Sequence, residues 1–137
     1  MSIIIKKQDL LLKSLLCFYK KNENAKKLTE TLNKDSKISL RAIDFLCTNY
    51  SKNLNVIYMI DNQPFNLYVQ YRAQLKAYSK LQFDPFRRHE RIKFMLNDTE
   101  IETTVAQLNF FRWAIQKKVI DWIEKNISFV EKEMYKK

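Results

Sequence analysis

Phe65-Asn66-Leu67-Tyr68-Val69-Gln70-Tyr71-Arg72-Ala73-Gln74-Leu75-Lys76-Ala77-Tyr78 is the stretch whose reading decides how this chain folds. Taken with period two, Phe65, Leu67, Val69, Tyr71, Ala73, Leu75 and Ala77 face one way. Asn66, Tyr68, Gln70, Arg72, Gln74, Lys76 and Tyr78 then face the other. Such alternation marks a half-buried strand, with a helix over residues 72–80 as the competing reading of its second half. The strand reading finds neighbours on both sides. Val56 to Ile60 is a β-branched and aromatic run, and Asp61-Asn62-Gln63-Pro64 after it is a turn. Beyond a loop from Ser79 to His89, Ile92, Phe94 and Leu96 point inward while Arg91, Lys93 and Met95 point outward. Three strands joined by short links predict an antiparallel sheet with one buried and one open face.

Outside this region the periodicity is helical. Asp9 can cap a first helix to about Lys20, with Leu12, Leu15, Leu16 and Tyr19 on one stripe. Leu28 and Leu32 suggest a short helix over residues 25–33. Ser39 is an N-cap, with Ile38 and Ile43 placed as a hydrophobic staple, and Leu40, Ile43, Leu46, Cys47 and Tyr50 form the buried face. Asn97 to Glu100 makes a turn. Thr104 with Gln107 then reads as a capping box opening a helix to about Asn126, whose apolar face is Leu108, Phe111, Ile115, Val119, Trp122 and Ile123. The fold class is α+β: N-terminal helices, a three-stranded antiparallel sheet and a long C-terminal helix on its apolar face. Residues 1–137 read as one domain, with a basic helical segment at 1–37, a core at 38–126 and a tail at 127–137.

The 137 residues are 46% hydrophobic, enough for a core and too many for a disordered chain. Lysines and arginines interrupt every apolar run before the roughly 18–20 residues that a membrane span requires. Met1-Ser2-Ile3-Ile4-Ile5-Lys6-Lys7 places its charges after a very short apolar run, so a secreted protein is not expected. Cys17 and Cys47 both fall in helical apolar patterns, which predicts buried free thiols in a reducing compartment. Glycine is absent, leaving turns to Asn, Asp, Ser, Lys and Pro, and the richness in Lys, Asn and Ile suits an AT-rich genome.

Net charge is +10 and unevenly spread. Residues 1–53 hold eleven basic and five acidic side chains, residues 54–96 seven and three, and residues 97–137 seven of each. Such a field favours polyanions such as nucleic acid, although a solubilising charge is the simpler account of a lysine-rich chain.

Two cysteines and one histidine fall short of the four ligands of a structural zinc site. Without glycine there is no phosphate-cradling loop. His89, between Arg88 and Glu90, has no marked nucleophile to serve and reads as an exposed loop residue. No metal or cofactor is expected, nor an enzyme. The alternative is a Mg-dependent nuclease built on Asp84, Glu90 and Lys93, weakened because Glu-x-x-Lys sends the lysine to the opposite face of a strand. On the open sheet face, Tyr68, Arg72, Lys76, Tyr78, Arg91 and Lys93 are the expected nucleic-acid contacts, with Lys80, Arg87 and Arg88 at its end. Cations track phosphates and tyrosine rings stack on bases. Solvated strands carry the same residue types for solubility alone. Phe110 and Trp113 fall off the main axis of the last helix. Either that helix is buried on two sides, or these rings form a partner interface, to virion proteins or a second copy.

Ile38 to Tyr50, Phe65 to Val69, Ala73 to Ser79, Phe83-Asp84-Pro85-Phe86-Arg87-Arg88 and Thr103 to Ile115 together resemble a small-protein family of the nucleocytoplasmic large DNA viruses, the giant viruses. The likeness covers residues 38–125 and leaves the first helix unmatched. It carries over no catalytic residue. It implies a viral protein of the host cytoplasm or the virion, where basic proteins serve genome packaging, transcription or the capsid interior. The reading is a non-enzymatic protein that binds single-stranded nucleic acid, or nucleic acid without sequence preference. Its rival is an assembly or adaptor protein using the aromatic last helix.

Overall fold

Leu67–Tyr78 is a helix in the computed structural model, and the sheet is reorganised around it. The structure describes residues 7–21, 23–33, 35–78, 82–88, 90–96 and 98–136, with the backbone alone for residues 7–9. The Asp9 cap, Lys80 and His89 therefore lie outside the described residues. In chain order come α1 (Lys7–Lys20), α2 (Asn24–Leu32), α3 (Leu40–Phe45), a π-turn (Leu46–Tyr50) and α4 (Ser51–Leu54). They are followed by β1 (Ile57–Ile60), β2 (Gln63–Asn66), α5 (Leu67–Tyr78), β3 (Ile92–Leu96), β4 (Thr99–Thr103), α6 (Val105–Gln116) and α7 (Val119–Met134). The α+β class holds. The expected three-stranded sheet is replaced by two separate antiparallel hairpins, β1–β2 and β3–β4.

Local chemistry favours the helix at α5. Gln, Arg, Ala, Leu and Lys are strong helix formers, and the Asn66 side-chain oxygen accepts a hydrogen bond from the Val69 amide at 3.1 Å, as an N-cap does. The helix buries Leu67 and Tyr71 and half-buries Leu75 and Tyr78. Val69, expected to face inward, is 56% exposed.

Without glycine, the sharp turns fall to residues that tolerate a left-handed backbone. Asn55, Asp61, Asn62, Asp98 and Lys118 all have positive φ, and four of the five are Asn or Asp, which visit that region at least cost. Asp61 and Asn62 are consecutive, giving the two-residue turn whose twist suits a hairpin. Lys118, at φ 61°, splits the helix expected over residues 104–126 into α6 and α7. The tail expected from residue 127 is helical to Met134.

Buried residues from Leu15 to Val130 form one hydrophobic cluster with α6 at its centre. The Tyr19 hydroxyl of α1 donates to the Leu108 carbonyl at 2.6 Å. Both expected caps form: the Ala42 amide donates to Ser39 Oγ, and the Gln107 amide to Thr104 Oγ1. The Gln107 side chain does not complete the capping box. It accepts from the Thr103 hydroxyl at 2.7 Å and donates to the Pro85 carbonyl at 2.8 Å. Asn109 donates to the Gln82 carbonyl at 2.9 Å. Those bonds fix the 82–88 loop against α6.

Two expectations fail by burial. Phe110 and Trp113, offered as a partner interface, lie inside the core because α6 is covered on nearly every side. Cys47 is fully buried as expected, but Cys17 is exposed, on the side of α1 away from Leu15 and Tyr19. Among the described residues no helix is long and apolar enough to cross a membrane.

Candidate nucleic-acid interface

The basic and aromatic residues expected on one sheet face are divided between a helix, a loop and a hairpin. Tyr68, Arg72, Lys76 and Tyr78 belong to α5, Arg87 and Arg88 to the 82–88 loop, and Lys93 to β3, with Arg91 just before that strand. On the hairpin the cations are already matched. Arg91 meets Glu102 at 3.0 Å and Lys93 meets Glu100 at 3.6 Å, in diagonal cross-strand pairs. Arg88 meets the buried Asp84 carboxylate at 3.6 Å and lies over the Phe86 ring. Arg87 donates to the Glu102 carbonyl at 3.3 Å. Tyr78 is not a free stacking surface either, since its half-buried ring stacks on Phe83 at 6.0 Å.

Three of the expected residues do stay together. Tyr68, Arg72 and Lys76 recur every four residues along α5, a helix without an acidic residue, and so form one stripe. Arg72 donates to the Tyr68 hydroxyl at 3.3 Å, with its guanidinium carbon 5.9 Å from the ring centre. Among the described residues neither Arg72 nor Lys76 has an acidic partner.

The stripe borders a cavity of about 390 Å³ lined by Thr48, Tyr68, Tyr71, Arg72, Leu75 and Lys76. A smaller one, about 50 Å³, lies between Asp44, Thr48, Tyr71, Phe83, Asp84 and Arg88. Thr48 and Tyr71 line both, so the two adjoin. Thr48 comes from the π-turn, a kind of local widening common at functional sites, and its hydroxyl donates to the Asp44 carbonyl at 2.8 Å. The Tyr71 phenol is pushed well above its ordinary range. Burial is the main cause, negative charge on Cys47, Asp44 and Asp84 adds to it, and Arg88 offsets part. The hydroxyl therefore keeps its proton at any physiological pH. The groove is basic and aromatic at its outer end, and polar with two carboxylates at its inner end.

Residues 2–137 match the model of a family of unknown function, DUF7197. The chain belongs to that family. It is also 34% identical to an uncharacterised protein of Acanthamoeba polyphaga mimivirus over 117 residues, which are 78% of this chain and 45% of the relative. The chain thus spans less than half the length of that relative. Its likeness to a giant-virus protein family is borne out, and the family match takes in α1 as well as the core. No solved structure matches this DUF7197 chain.

Sequence reading missed Thr48, Tyr71 and Asp44 as parts of the groove. Tyr71 was assigned to a sheet core, and nothing local to Thr48 shows that α5 packs beside it. The nuclease alternative gains no geometry. Asp84 is engaged with Arg88 and with the Phe86 amide, and Lys93 with Glu100. Among the described residues no three acidic, Cys or His side chains gather as a metal ion would require.

Proposed function

We propose that this giant-virus protein is a non-enzymatic nucleic-acid-binding protein, acting in the host cytoplasm or the virion, and that its contact surface is the α5 stripe rather than a sheet face. One observation carries the reading. On an acid-free helix, Tyr68, Arg72 and Lys76 align beside an open groove, while the hairpin cations are held by Glu100 and Glu102. Cations without acidic partners can exchange their counterions for phosphates at little cost; paired ones must first break a pair. Lys52 adds to the field, exposed on α4, which packs against α5. The rival reading, assembly through an aromatic helix surface, has lost the surface it needed, because Phe110 and Trp113 are in the core.

Binding of a labelled single-stranded oligonucleotide, followed by fluorescence anisotropy across a salt series, tests the proposal. Four to six phosphate contacts give a log–log slope of roughly −3 to −4, about −0.7 per phosphate. The double variant Arg72→Ala/Lys76→Ala should make that slope shallower by about one to one and a half. Its fold should be unaffected, since exposed substitutions usually cost within ~0.5 kcal/mol. No binding by the parent at low salt, or a double variant indistinguishable from it, would overturn the proposal.

A further inference from the structure

Among the described residues β1 pairs only with β2, and the register fixes which of its backbone groups face outward. Proline has no N–H, so Met59 and Pro64 form a non-bonded pair of the antiparallel ladder. Beyond Ile57 and Asn66 the same alternation continues, with the Leu67 amide donating to the Val56 carbonyl at 3.0 Å. The N–H and C=O groups of Ile57 and Met59 therefore point away from β2, and among the described residues no hydrogen bond reaches them. The two edges of this hairpin are built differently. On β2, Pro64 leaves a gap in the outer row of donors, and the chain turns into α5 after Asn66. Proline and charged side chains are common guards against strand addition. Ile57-Tyr58-Met59-Ile60 has neither. Ile57 and Met59 also share a face, 55% and 63% exposed, with Pro64 exposed beside them. The β3–β4 hairpin shows the contrast, since Lys93, Glu100 and Glu102 charge its exposed positions.

We infer that β1 is a self-association edge: two copies pair their β1 strands antiparallel about a two-fold axis, joining the hairpins into one four-stranded sheet. Matching the outward groups sets Ile57 opposite the partner's Met59 and Met59 opposite the partner's Ile57, with Tyr58 on the axis. The four exposed apolar side chains then meet on one face of the new sheet. Charge favours a second copy as the occupant. The edge itself is uncharged, so two chains of net charge +10 meet where they repel least. Carried to its ends, the same register sets the exposed Asp61 opposite the partner's Asn55, three residues past Lys52, which is also exposed. Acid thus comes near base at both ends of the pairing. Pairing through β1 is independent of nucleic-acid binding through α5.

Sedimentation equilibrium over a concentration series, run without nucleic acid, tests the dimer. The parent should pass reversibly from one chain to two and no further. Ile57→Lys/Met59→Lys sets lysine opposite lysine twice and should weaken the dimer by roughly tenfold or more. Ile57→Lys/Met59→Glu sets lysine opposite glutamate twice and should hold the dimer within about threefold of the parent. Both variants change exposed side chains, so circular dichroism should show the parent's fold and, in dilute solution, its melting temperature. A parent that stays a single chain at every concentration would overturn the inference, as would assembly beyond two. So would a first variant that dimerises like the parent, or a second that dissociates as far as the first.

Discussion

Cys47, Tyr19, Tyr58 and Tyr71 hold their protons more tightly in the folded chain than in water, in each case first because burial disfavours the charged form. For acids whose folded values are raised, the stabilisation is fully present below the ordinary value and is lost as pH climbs above it. The ordinary values are 9.0 for the thiol and 10.0 for the phenols. Stability measured by urea unfolding should therefore be level from pH 6 to 8 and fall from about pH 9. Cys47 alone should account for a loss on the order of 2 kcal/mol by pH 10.5. Cys47→Ala should move the onset up by about one pH unit, to where the phenols begin to ionise. A profile flat through pH 10.5 would contradict the burial of these groups. Cys17 shows how such placements can be read from sequence. With 100° between successive helical residues, it lies about 200° from Leu15, so the stripe of Leu15 and Tyr19 already implied that this thiol faces away from the core.

A spacing of four residues fits both a strand and a helix, which is why α5 was misread and its site partly survived. Leu67, Tyr71 and Leu75 share a face in either conformation, and so do Tyr68, Arg72 and Lys76. Only Val69, Ala73 and Ala77 tell the two apart. A strand buries them with Leu67, whereas in the structure all three are exposed. The Ser39 and Thr104 caps were legible because a cap is a bond between near neighbours, as was the Asp61-Asn62 turn, set by two residues that accept positive φ. Asn66 was read as a strand residue, although its side chain starts the helix. Asn66→Ala should lower stability by about 1 kcal/mol, the usual worth of an N-cap. Chemical denaturation of the variant measures this, and an unchanged midpoint would mean that Asn66 does not cap α5.

The molecule closes through contacts that no local pattern announces. Tyr19 reaches Leu108 across 89 residues, Lys27 meets Asp121 at 3.0 Å, and Thr48 lies across the groove from α5. The N-terminal helices are thereby packed into the same core as α6 and α7, and the groove is a product of tertiary packing that periodicity alone could not supply. Charge at this scale raises a separate question: whether nucleic acid would respond to the whole field of a +10 protein or to one stripe. Lys125 and Lys132 are exposed on α7, in the third of the chain whose charges balance. Lys125→Ala/Lys132→Ala removes the same two charges as Arg72→Ala/Lys76→Ala. If binding follows the net field, both double variants should weaken it alike at low salt and their salt slopes should match. If phosphates sit on α5, the α7 variant should keep the parent's slope within about 0.3, because only contacts that displace counterions enter it. The α5 variant should lose a unit or more. Equal slopes in the two variants would identify the charge as a solvated field, and with it remove the reason for placing nucleic acid on α5.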